Sequence, residues 1–346
     1  MRHPLKSNLS VVKRSTENMR VAPVAPQWPT YTGVSQFVGV SPRGSVTVFV
    51  DPSLGAPAMQ NAHDLINDAD RVVEANDAIF GKPGQPVNII VFALGGATDG
   101  TGGADHNGCD YVSGSAIEVC ASFGNSARVS ALFEAELSEC SMGGNLCGVS
   151  TGEALSRWCA AVVGSNALSD FATAPQWAQD GMPDFVTQTD GTDQNADSTG
   201  CGMAFLSWLM SQGHTLGAIA QAMTQLGEAG TLSQLYANIN GDTANNAWPH
   251  FLAAAHALPQ FVNDDPFAGT GAPAQLAHVT PLAAEIAGKV FASILADLTA
   301  NREPHQIVAG VRAAMAASAS PAAAHSAGAC VVRSRRLASP AFVARA

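Results

Sequence analysis

The chain has 346 residues, 47% of them hydrophobic and only 13% charged, with a formal net charge of −11. That apolar content excludes wholesale disorder, and no uninterrupted apolar stretch reaches the ~18 residues of a membrane-spanning helix. Five of the 17 basic residues fall in positions 1–20 and four arginines in 333–346. The stretch between is therefore far more acidic than the total suggests, which argues against nucleic acid as a partner of the folded part.

Residues 1–40 are polar and broken by proline (VAPVAPQWPTYTG) and read as a flexible N-terminal arm. A first strand is expected at 45–50 (SVTVFV). A helix follows at 57–80, where Met59, Ala62, Leu65, Ile66, Ala69, Val72 and Val73 recur at three and four. Val87–Leu94 (VNIIVFAL), a run rich in β-branched residues, suits a buried strand, and a short strand is expected at 116–121 after a glycine-rich loop. From residue 125 the pattern turns helical, with helices expected at 126–142, 151–163, 174–188, 198–212, 216–226, 231–239 and 243–258. The order implies an α+β domain over 41–262. Residues 263–346 are alanine-rich, with helices expected near 281–300 and 304–317 and a disordered basic tail beyond.

Of seven cysteines, Cys109, Cys120, Cys140, Cys147, Cys159 and Cys201 cluster in one acidic region, and Cys330 stands apart. No CxxC occurs, so the cluster reads as disulfides, and sequential pairing (109–120, 140–147, 159–201) is the expected connectivity. That favours an extracellular or periplasmic location. Residues 1–20 lack the ~7–15-residue apolar run of a secretory leader, which points the other way and leaves a cytoplasmic location open.

Two segments could carry chemistry. In Leu132–Cys140 (LFEAELSEC) helical spacing puts Glu136 and Glu139 on one face with Leu132, where the bland reading is a solvated acidic edge. In Pro175–Val186 (PQWAQDGMPDFV) Asp180 follows Trp177 by one turn. His106 lies in the glycine-rich loop GGADHNGCD, where a loop histidine bonded to a neighbour is the ordinary reading. Glu153 is a further candidate, but Arg157 at i+4 offers it an ordinary ion pair. The loop 184–197 is rich in oxygen donors without EF-hand spacing. GGATDGTGG lacks both GxGxxG and a P-loop lysine, and no GxSxG elbow is present.

Taken in order, these segments resemble the gluzincin metallopeptidases, which carry HExxH on one helix and a W-x-x-E-G-x-A-[DE]-[YF]-[VF] pattern on a following one. Residues 177–186 (WAQDGMPDFV) look like the second pattern, with Asp180 at the third-ligand position, and 198–209 is similar to the helix after it. The resemblance covers about 45–258 and implies a zincin-like fold, a small N-terminal sheet with helices followed by a mostly helical half. It departs at the decisive motif. AELSE at 135–139 puts Ala135 and Glu139 where two histidines would bind zinc, and keeps only Glu136, the general base. Ordinary zinc-peptidase activity is therefore not expected. What the resemblance implies is a carboxylate-lined cleft that binds a protein, peptide or glycan. One alternative is a hydrolase with an altered metal set of Glu139, Asp180 and His106 and Glu136 as base. Oxygen ligands would suit calcium better than zinc there. A second alternative is a metal-free glycoside hydrolase working with two carboxylates.

Overall fold

A computed structural model describes residues 23–108, 115–144 and 146–270. Five strands form one sheet: β1 (Gln36–Val40), β2 (Val46–Val50), β3 (Val87–Phe92), β4 (Ala104–His106) and β5 (Ser115–Cys120), in the order β1-β2-β3-β5-β4. The three central strands are parallel and both edges antiparallel. The centre is built from Val46, Val48, Val50, Ile89, Val91, Ile117 and Val119, the β-branched residues that suit a strand buried on both faces.

Eight α-helices are described: α1 (Gly55–Phe80), α2 (Ser126–Met142), α3 (Ser150–Val163), α4 (Ala174–Gln179), α5 (Ala196–Ser211), α6 (Leu216–Leu226), α7 (Leu232–Asn240) and α8 (Ala247–His256). The architecture is α+β, as expected. Helices α1 and α2 pack on one face of the sheet, where Leu65, Val72, Phe133 and Leu137 meet Ile89, Val119 and Val91 in one apolar cluster. A second cluster, centred on Trp177, Phe205, Trp208 and Phe251, holds the helical half together. Trp177 stacks on Phe251 at 5.5 Å between ring centroids. No helix among the described residues is long and apolar enough to cross a membrane.

The expected helix at 174–188 stops at Gln179. Gly181 takes φ +88° and Met182 φ +56°, and Pro183 has no amide hydrogen to continue a ladder. Asp184 instead accepts from the backbone N–H of Val186 and Thr187, closing a turn. Two edge strands were not expected, β1 and the three-residue β4.

The boundary expected at residue 40 falls within packed structure. Gln36–Val40 is the sheet edge, and Trp28 is buried against Phe49 on the outer face. Glu118, fully buried on β5, accepts hydrogen bonds from the Thr30 and Tyr31 amides at 3.0 and 2.7 Å and from the Thr30 hydroxyl at 2.6 Å. At the other boundary, Asp264 accepts from the Thr173 and Ala174 amides, and Phe267 is buried in the helical core. The helices expected at 281–300 and 304–317 lie outside the described residues, as do Cys109 and Cys330.

The sequential disulfide pairing needs correction. Cys120, Cys140, Cys159 and Cys201 are buried and not disulfide-bonded, and each of the three expected bonds would use at least one of them. They behave as small apolar core residues, and burial pushes the thiols of Cys159 and Cys201 well up from the ordinary range. Cys147 is disulfide-bonded, and none of these four is its partner.

Candidate active site

A cavity of about 660 Å³ opens between the antiparallel sheet edge and the helical half. Strand register decides which side chains reach it. Ile117 and Val119 face the cluster shared with α1 and α2, and His106 pairs with Ile117 across the β4–β5 ladder. Side chains alternate along a strand, so His106 points to the helix side while Asp105 pairs with Glu118. From α2 the wall receives Leu132, Ala135, Glu136 and Glu139, which share one face of the helix. From α3 it receives Glu153, Ser156 and Arg157, and from the next segments Phe171, Thr173, Asp193 and Thr199.

The centre of the site is a histidine between carboxylates. His106 Nδ1 lies 2.7 Å from Glu136 Oε2 and 3.9 Å from Glu139 Oε2, with the three side chains 9%, 14% and 13% exposed. The other ring nitrogen, Nε2, lies 3.8 Å from Cys147 Sγ. Burial opposes charge on the imidazole, but the hydrogen bond and charge of Glu136 outweigh it and raise the His106 pKa. Glu136 is also raised, by burial first and then by the charges of Glu153 and Asp105, although the bond to His106 pulls it back. Glu139 is raised well above the usual carboxylate range by burial and by the charges of Glu136 and Glu153. Burial and mutual repulsion thus push both acids in the same direction, upward.

Arg157 is the neutralising cation, and it is already engaged. Its Nε donates to Glu153 Oε1 at 2.5 Å and its Nη1 to the Phe171 carbonyl at 2.7 Å. The hydroxyls of Thr173 and Thr199, both on the cavity wall, have no hydrogen-bond partner among the described residues. The loop carrying Cys147 is pressed onto α3 at Gly152, where a Cβ would stand 2.0 Å from the Leu146 carbonyl oxygen. Only glycine lets the loop lie that close.

Of the expected site residues, the structure brings His106, Glu136 and Glu139 together. Asp180 is exposed at the end of α4 and is not among the residues lining the cavity. Its carboxylate neighbours Asp197, whose pKa is raised by desolvation and then by Asp180. The altered metal set is thus assembled only in part, and the third carboxylate at the cluster is Glu153, whose charge acts on both Glu136 and Glu139. His106, Glu139 and Cys147 each offer a donor atom within 4.8 Å of the others, but the Cys147 sulfur is committed to a disulfide and is no thiolate ligand. Glu153 was legible as a candidate, and its pairing with Arg157 hid its second role. Cys147 left one usable signal, a Cys-Gly step just before a helix start.

No protein-family model matches the chain, no curated protein matches it, and no solved structure matches it.

Proposed function

We propose that this cavity is the active site of a hydrolase in which His106 moves the proton and Glu136 holds His106 in place. The observation that carries the reading is the 2.7 Å bond between His106 Nδ1 and Glu136 inside a cavity large enough for a small substrate. A carboxylate on Nδ1 fixes the tautomer, leaves Nε2 as the base, and stabilises the imidazolium formed when a nucleophile gives up its proton. Glu136, expected as the base itself, becomes the positioning partner. Glu139, kept protonated by burial and its neighbours, is placed to donate to a leaving group or an oxyanion. The walls carry Asp105, Glu153 and Asp193, with Arg157 already satisfied, which suits an uncharged or cationic acyl substrate.

A zincin-like scaffold remains our reading of the architecture. An antiparallel edge strand beside an acid-bearing helix supports it, as does the chain order of the elements. The glycosidase reading has less support, because Glu136 and Glu139 sit three residues apart on one helix rather than on opposite sides of a substrate. The test is turnover of chromogenic esters, peptides and glycosides, with and without a phosphine reductant and with and without chelator. His106→Gln and Glu136→Gln should each lower ester or amide turnover by about 10²–10⁴-fold, and chelation should leave turnover intact. Equal turnover by His106→Gln and the wild type contradicts the proposal. Loss of turnover together with a stoichiometric cation would restore the altered-metal reading. Ligand binding without turnover of any substrate class would favour the binding protein.

A further inference from the structure

We propose that Cys147 is the nucleophile of this site, masked while it is disulfide-bonded and released by reduction. This rests on the hydrolase reading for its substrate class, but its geometry stands alone. Cys147 Sγ is 3.8 Å from His106 Nε2, within the reach of a sulfur hydrogen bond, and Glu136 is 2.7 Å from Nδ1 of the same ring. Nucleophile, base and orienting carboxylate therefore lie in one line across a single imidazole, the arrangement that activates a thiol. All three residues line the same cavity. Cys147 also stands three residues before Ser150, the first residue of the 14-residue α3, whose N-terminal end favours a nearby thiolate. The other four cysteines described are buried in the core outside any disulfide, and none of them lines the cavity.

The chemistry balances with a dithiol or phosphine as reductant. Two electrons from the reductant and two protons cleave the disulfide and leave Cys147 as a thiol. The thiol passes its proton to His106 Nε2, and the sulfur attacks the carbonyl carbon of an ester or amide, forming an S–C bond. The bond to the leaving group breaks, and that group takes the proton from the imidazolium. Water then adds to the thioester and gives a proton to His106. The C–S bond breaks, and the sulfur recovers that proton. In the oxidised protein the sulfur has no proton to lose and no free lone pair at thiolate strength, so the site is latent.

The experiment measures iodoacetamide alkylation at Cys147 by peptide mass mapping, on the full chain, before and after phosphine reduction. Reduced wild-type protein should modify Cys147 at about pH 6, at least about tenfold faster than reduced His106→Gln, because an ordinary thiol is almost fully protonated there. His63→Gln, which removes an exposed histidine on α1, should react like the wild type and controls for general effects. Reductant should raise ester or amide turnover in the wild type and have no effect on Cys147→Ser. Equal alkylation rates in wild type and His106→Gln overturn the proposal, as does a reduced Cys147 that reacts only after unfolding. Those outcomes leave the His106–Glu136 proton couple to be judged by the turnover of its own variants. Conversely, fast alkylation with turnover insensitive to His106→Gln would retain the activated thiol and remove the hydrolase.

Discussion

At the scale of single residues, α2 holds its three glutamates in two different environments. Spacing on a helix placed Glu136 and Glu139 together, and both reach the cavity. Glu134, two residues earlier, points into the core instead: it is fully buried, and neither carboxylate oxygen has a hydrogen-bond partner among the described residues. Burial raises its pKa well above the usual range, although the charge of Arg71 works against this. A carboxyl group whose folded-state pKa exceeds its unfolded value leaves stability intact at acid pH. That stability is then lost as the pH rises towards the folded value. Glu134→Gln should therefore flatten the decline of stability with pH and be the more stable protein at about pH 8. The direction of that difference, Glu134→Gln above the wild type on the alkaline side, is the expected result. Urea unfolding of both proteins across pH checks this; parallel curves would show that Glu134 finds a partner when ionised.

At the scale of elements, what the sequence made legible follows its strongest physical signals. Strands β2 and β3 are rich in β-branched residues, β5 is a short buried stretch, and α1 is a long amphipathic repeat; all four fell within two residues of expectation. Strand β4 has three residues, Ala104, Asp105 and His106, with no apolar periodicity to read, yet its register is what turns His106 towards α2. Likewise the proline-broken stretch before residue 36 reads as mobile because its partner, Glu118, is 87 and 88 residues away. A carboxylate on a central strand is satisfied only if something covers it, and the Thr30–Tyr31 amides do so. Glu118→Ala should lower stability by about 2–4 kcal/mol, because it leaves buried donors unpaired. It should also speed amide exchange at Thr30 and Tyr31 while leaving α5 and α8 unaffected. Unchanged exchange at those two amides would mean that Trp28 packing alone holds the segment.

At the scale of the whole molecule, the site sits where two separately built halves meet. Strand β4 and most of α2 pack in the sheet's apolar cluster, while most of α3 and all of α5 pack in the helical one. The cavity takes its histidine and two glutamates from the first and Glu153, Arg157 and Thr199 from the second. No local pattern encodes such a meeting: Asp180 was expected in the cleft on the resemblance alone, and Glu153 was set aside for its i+4 pairing with Arg157. The central claim is that Glu136 acts on His106 and sets its proton affinity. The most direct measurement is an NMR pH titration of the His106 ring in wild-type protein and in Glu136→Gln. The account predicts a wild-type midpoint above the ordinary value of about 6.5. It predicts a lower midpoint in Glu136→Gln, where burial alone opposes the imidazolium. A His106 midpoint that is the same in both proteins would contradict it.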